Sequence, residues 1–242
     1  MNQSVELRLI PGDKYSEYRY NAIFNAYKWD PQVGDHNTVA RHVLVMDGDT
    51  ARQLEQYAEK LSEETMMMEE ALIDKPRLVR KLGLPRAVRK AVPRLSTYRR
   101  NQNVRLMRFD FHPTPEGWAV SEVNSDVPGG LAEASILPQI ACQYIEGCEP
   151  RKHVGQSLLE SFSQKINKNG TMAFVHATSY ADDRQVMEFL SDYFLAHGFK
   201  TVFAAPDHIL WKDGQAHCII EGQEGPIDGI ARFFPLEWLV GL

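Results

Sequence analysis

Met107-Arg108-Phe109-Asp110-Phe111, followed by Val120-Ser121-Glu122-Val123-Asn124-Ser125-Asp126-Val127-Pro128-Gly129-Gly130-Leu131-Ala132-Glu133, reads as two strands and a glycine-marked helix start. Successive strand side chains point to opposite faces, so Arg108 and Asp110 share one face while Met107, Phe109 and Phe111 share the other. Glu122 and Asn124 repeat the arrangement on the second strand. Between them, His112-Pro113-Thr114-Pro115-Glu116-Gly117 has the proline and glycine content of a tight reversal. Pairing the strands as a hairpin brings two carboxylates, one amide and one guanidinium toward one end. Two anionic groups and a neutral oxygen donor suit a hard divalent cation such as Mg²⁺, with positions left for water and phosphate oxygens. An adjacent arginine can then hold a transferring phosphoryl group. One exposed charge is most often a solvated rim of little energetic value. Four polar residues in phase, where Asp and Asn are disfavoured, mark a site.

The residues after Gly129-Gly130 begin a helix over 131–137. Its first N–H groups, those of Gly130 and Leu131, are expected to be open to an anion, most naturally a substrate carboxylate.

The block resembles the glutathionylspermidine synthase-like enzymes, a circularly permuted branch of the ATP-grasp ligases. Their signature is an Arg-x-Asp strand, a strand carrying Glu-x-Asn, then Asp-x-Pro and a small-residue turn. The matching residues are Arg108-x-Asp110, Glu122-x-Asn124 and Asp126-x-Pro128. Ile227-Asp228-Gly229-Ile230-Ala231-Arg232-Phe233-Phe234-Pro235-Leu236-Glu237-Trp238 is similar to the family's closing strand and Trp-containing segment. The resemblance implies ATP and Mg²⁺ as cofactors. It implies Asp110, Glu122 and Asn124 as metal ligands, and Arg108 as the group that stabilises the phosphoryl or acyl phosphate. The implied activity is ATP-dependent ligation of a small-molecule carboxylate to an amine. The other reading is a non-catalytic, degenerate ATP-grasp module that binds a small anionic ligand or a protein partner. Two departures shape the expectation. Val127-Pro128-Gly129-Gly130 lacks the hydroxyl side chains that hold the peptide substrate in glutathionylspermidine synthases proper, so glutathione is not expected. The nucleotide-clamping lysines and loop lie well downstream of the Asn in the family, and are expected beyond Leu242.

Composition narrows the class. The 242 residues are 43% hydrophobic with a formal net charge of -5, ordinary for a globular protein and without a global nucleic-acid footprint. No apolar run is long enough to span a bilayer and the first residues are not a signal peptide. Cys142, Cys148 and Cys218 are odd in number and form no CxxC pair, which points to free thiols and a cytoplasmic setting. No nucleic-acid or membrane partner is expected, and the sequence leaves the oligomeric state open.

Along the chain, the first forty residues read as irregular and aromatic-rich. Val43-Leu44-Val45-Met46 reads as a strand. Thr50-Ala51-Arg52-Gln53 fits a capping box for a helix with Leu54, Tyr57, Ala58, Leu61, Thr65, Met68 and Leu72 on one face. Met66-Met67-Met68 reads as adaptable core and helix flank. From Lys75 to Arg100 the charges are all basic; with Leu78, Leu82, Leu84 and Val88 interleaved, short solvated helices are the simpler reading than a polyanion surface. Beyond residue 135, strands at 172–176 and 201–205 flank a helix from Asp182 or Asp183 to His197-Gly198. A hairpin turns at Asp213-Gly214 and a strand closes the chain over 227–234. His176, ending its strand beside Thr178, Ser179 and Tyr180, is read as structural. The predicted fold is α/β, a Rossmann-like pre-ATP-grasp unit over 135–242 packed with part of an ATP-grasp domain over 1–134.

Overall fold

The computed structural model describes residues 5–92, 99–177 and 180–236. Met1 to Ser4, Arg94 of the basic run, Thr178 and Ser179 beside His176, and Glu237 and Trp238 of the closing motif lie outside the described residues. The fold is α/β. The chain opens with β1 (Val5–Leu9) and α1 (Tyr15–Asn25). A short ladder of β2 (Gln32–Val33) and β3 (His36–Asn37) follows, and β4 (His42–Met46) returns antiparallel to β1. Three helices come next, α2 (Gly48–Asp74), α3 (Pro76–Lys81) and α4 (Arg86–Ala91), then the hairpin β5 (Arg108–Thr114) and β6 (Gly117–Asn124). The remainder is α5 (Leu131–Ala141), α6 (Val154–Ser163), β7 (Thr171–His176), α7 (Ala181–Ala196), β8 (Lys200–Ala204), β9 (Ile209–Lys212), β10 (Gln215–Cys218), β11 (Gly225–Pro226) and β12 (Gly229–Phe233).

Contacts divide the described chain into two units, one within Met1–Met46 and Gly129–Phe234, the other within Asp47–Pro128 and Pro235–Leu242. This differs from the division expected at residue 134. The reason is burial. Ile10, Tyr15, Tyr18, Ala22 and Val39 of the N-terminal segment share a core with Ile140, Ala141 and Ile145. The segment is therefore not irregular. Tyr15, Tyr18 and Ala22, at helical spacing, turn one side of α1 inward, and Tyr15 Oη donates to the Val39 carbonyl at 2.6 Å.

The centre of this first unit is the parallel sheet β12-β7-β8. Its middle strand is apolar on both faces, as a parallel strand must be when both are covered. Ala173 and Val175 pack with Val202, Ala204, Ala216, Cys218 and Ile227. Phe174 meets Phe194 of α7 edge-on at 5.3 Å. β12 can lie against β7 because Gly229 has no side chain: a Cβ there would collide with the Met172 sulfur. Gly198, at φ +91, follows α7 as expected. The β9–β10 hairpin turns through Asp213 and Gly214, both at positive φ.

In the second unit α2 begins two residues before Thr50. Its cap is Asp47, whose Oδ1 accepts the Thr50 N–H at 2.7 Å. The expected face holds except at Met68, which is exposed like Met67. Pro76 ends α2 and opens α3. Val79 is buried, Leu78, Leu84 and Val88 are half-buried, and Leu82 is exposed. No described helix is long and apolar enough to cross a membrane.

Candidate functional site

The hairpin sets the geometry. Arg108 pairs with Asn124 and Asp110 with Glu122 across β5 and β6. Directly opposed residues share a face, so all four polar side chains project from the same side. Phe109, Val123 and Phe111 take the other, where the Phe111 ring lies 6.4 Å from that of Tyr57 in α2. The strands run further than the sequence suggested, through Pro113 and Thr114, leaving Pro115 and Glu116 as the turn. Between Asp110 and Phe111 the register slips, and Ser121 is the extra residue of a β-bulge.

Three of the four side chains come together. Arg108 donates from Nε to Asp110 Oδ1 at 2.8 Å and from Nη2 to Oδ2 at 3.2 Å, a two-point grip. The same Nη2 lies 3.4 Å from Glu122 Oε1. The Arg108 hydrogen bond, with the Arg108 and His112 charges behind it and desolvation opposing, holds the Asp110 carboxyl below the usual carboxylate range. Both carboxylates remain partly open to water. Asn124 shares the face, but its side chain turns to the following loop: Oδ1 accepts the N–H groups of Val127 at 3.2 Å and Asp126 at 3.3 Å. It organises the Asp126-Val127-Pro128 turn as an Asx device.

Gly130 and Leu131 open α5 in the first unit. Gly130 sits in the left-handed region, φ 82 and ψ 17, and α5 has no side-chain cap. Its first-turn N–H groups are therefore not met by a capping side chain. Glu133, in that first turn, is held by Lys28 at 3.2 Å and by Gln185 Nε2 at 3.1 Å, while Lys28 also pairs with Asp30 at 2.9 Å. Burial works against the Lys28 charge, but the two carboxylates prevail and raise its pKa. A half-buried ion-pair network thus fixes the start of α5.

A family model, glutathionylspermidine synthase pre-ATP-grasp, matches residues 18–241. The chain belongs to this family. No curated protein matches it significantly. The glutathionylspermidine synthase family is one of ligases that generally use ATP and Mg²⁺. The match spans both units, and Arg108, Asp110, Glu122, Asn124, Gly130 and Leu131 all fall inside it.

Asp110 and Glu122 offer that cofactor two hard carboxylates on one solvent-facing side, and the Asn124 amide oxygen would have to give up its loop N–H groups to join them. Among the described residues no group of three or more His, Cys, Asp or Glu is placed to hold a metal, so any cation here would rely on two carboxylates and a neutral oxygen. Sequence reasoning missed His112 and Ser121, which sit beside this face. His112 Nε2 lies 2.6 Å from Ser121 Oγ, and Ser121 Oγ donates to the Asp110 carbonyl at 3.2 Å. Strand parity carries His112 onto the face of Arg108 and Asp110 once β5 extends past Phe111, whereas Ser121 is placed by the bulge, which a strict two-residue period hides. His176 is buried, 4.3 Å from the Phe203 ring, and its Nδ1 has no hydrogen-bond partner among the described residues.

Proposed function

We propose that the protein is an ATP-dependent carboxylate–amine ligase, or the part of one that carries this hairpin, working through an acyl phosphate. The observation that supports it is the Arg108 guanidinium set against both Asp110 and Glu122 on one exposed hairpin face. Asp110, Glu122 and Asn124 would hold Mg²⁺, which would supply charge neutralisation for nucleotide phosphates. Arg108 would leave its carboxylate partners to the cation and turn its fork to the transferring phosphoryl group. Gly130 and Leu131 would offer backbone N–H groups to the substrate carboxylate at the start of α5. The chain's own contribution is positioning and charge neutralisation, with no covalent intermediate on a side chain. The absence of hydroxyls in Val127-Pro128-Gly129-Gly130 points to a carboxylate other than glutathione.

The test is calorimetric titration of Mg²⁺-ATP into the full gene product, alongside phosphate release with amine and carboxylate pairs. Asp110→Asn is expected to weaken Mg²⁺-ATP binding by at least about tenfold, the loss of one charged ligand, with the melting temperature nearly unchanged. Unchanged affinity and unchanged phosphate release would remove Asp110 from the site and this reading with it.

A further inference from the structure

Every charged side chain from Lys75 to Arg108 is basic, in a chain whose net charge is -5. The structure gathers part of this run around a cavity of about 300 Å³ in the second unit. Val79, which is buried, and Val92 form its apolar part, and Arg80, Arg86, Arg89 and Lys90 surround it. Arg86, Arg89 and Lys90 lie at i, i+3 and i+4 on α4, stacked on one helix face. Elsewhere in the run cations find acids: Arg100 pairs with Glu70 at 3.5 Å and Arg105 with Glu69 at 3.2 Å. The four at the cavity have no acidic partner among the described residues. Like charges at this spacing repel, and all four side chains are exposed, so an anion can reach them directly from solvent.

We propose that this cavity is a binding site for a compact oligophosphate, either free or as the phosphorylated head of a larger molecule. Three guanidiniums offer paired donors that match phosphate oxygens, and Lys90 adds a point charge. The volume is at the lower end for small-molecule pockets, enough for a few phosphate groups. A polynucleotide fits less well, since among the described residues that line the cavity none is aromatic and could stack on a base. The site is independent of the hairpin: it uses none of its residues and needs no Mg²⁺.

Thermal melting of the chain in EDTA, with tripolyphosphate titrated at constant ionic strength, tests this. Tripolyphosphate is expected to raise the melting temperature saturably by about 2–4 °C, while sodium chloride at the same ionic strength does not. Arg86→Gln/Arg89→Gln is expected to weaken the effect at least about tenfold, with Arg80→Gln acting in the same direction from the other helix. Arg77→Gln/Lys81→Gln removes equal charge from α3 outside the cavity and is expected to leave affinity within about twofold. Stronger competition by inositol trisphosphate assigns a phosphorylated head group as the source, and weaker competition a free oligophosphate; either upholds the site. Equal losses in the two double variants, or reproduction by chloride, would reduce the feature to a screened charge run and overturn the proposal. So would a response abolished by Arg108→Gln alone, or capture of an oligonucleotide without any response to the small anions.

Discussion

In β7 of the parallel sheet, Met172, Ala173 and Phe174 are wholly inaccessible to water, whereas Val120 and Val123 of the hairpin strand β6 are 42% and 41% exposed. The difference extends to the units that hold them. The first carries two buried clusters, one under α1 and α5 and one around the parallel sheet. In the second, Ala51, Val79 and Pro128 are among the few described apolar residues that are buried. The residues proposed to handle phosphate sit on the thinly packed side. A polar hairpin face in contact with water can exchange an internal ion pair for a ligand cheaply, and low local stability is where binding elements are usually found. The parallel sheet has no such freedom, because each side chain removed leaves a hole.

The contrast is broken most directly at Phe174. Phe174→Ala deletes a ring packed on Phe194 at zero exposure and is expected to cost about 3–5 kcal/mol in urea unfolding. A cost no greater than that of a surface change would mean the sheet is no better packed than the hairpin.

Gly130 is next in size. At φ 82 any L side chain is strained, yet an added Cβ would meet nothing within 4 Å. Gly130→Ala should therefore cost about 1–2 kcal/mol through backbone strain alone, while Gly129→Ala, with no positive φ and open space around it, should stay within about 0.5 kcal/mol. Equal costs, read from parallel denaturation curves, would place the requirement in packing instead.

A smaller effect concerns pH. Burial holds the His176 pKa below its ordinary value, outweighing the Ala204 backbone hydrogen bond that favours the charged ring. The unfolded chain then binds this proton more readily than the folded one, so the stabilising difference is complete above about pH 6.5 and is lost as pH falls from there toward the folded value. One proton contributes at most about 1.4 kcal/mol per pH unit. His176→Phe should flatten that part of the stability profile between pH 7.5 and 5.5, and an unchanged slope would show that the ring titrates normally.

What the sequence revealed, and what it hid, follows the same division. Hairpin parity at Arg108, Asp110, Glu122 and Asn124 was readable because strand alternation is local, and so was the Asp213-Gly214 turn. The β7–α7–β8 crossover was readable from the lengths of its apolar runs. The packing of the first 46 residues onto α5 was not, since Tyr15, Tyr18 and Ala22 show helical spacing but their partners Ile140 and Ile145 lie over a hundred residues away. The Asp47 cap was hidden because Asp-Gly also marks a turn. Asn124 was read by its face alone; the pull of two nearby backbone N–H groups on its side chain is the local competition that Asn is prone to.

The smallest stability effect is expected at Glu122, and there the comparison is sharpest. Its contact with Arg108 is the longer of the guanidinium's two partnerships, 3.4 Å against 2.8 Å to Asp110, and its side chain is 54% exposed. Water and salt already screen such a pair, so Glu122→Gln keeps the shape, gives up one charge, and should change stability by less than about 0.5 kcal/mol. The hairpin loses no buried surface and Arg108 keeps its two-point hold on Asp110. Binding is another matter. A cation shared by Asp110 and Glu122 would lose one of its two anionic ligands, and Mg²⁺-ATP affinity in the full gene product should fall by at least about tenfold. Melting curves with and without Mg²⁺-ATP separate the two quantities in one series: the ligand-free curve should overlay the wild type, and the ligand-induced shift should shrink. A ligand-free curve that moves by several degrees while the induced shift is kept would make the Arg108–Glu122 contact a structural tie of the hairpin rather than part of a phosphate-handling face.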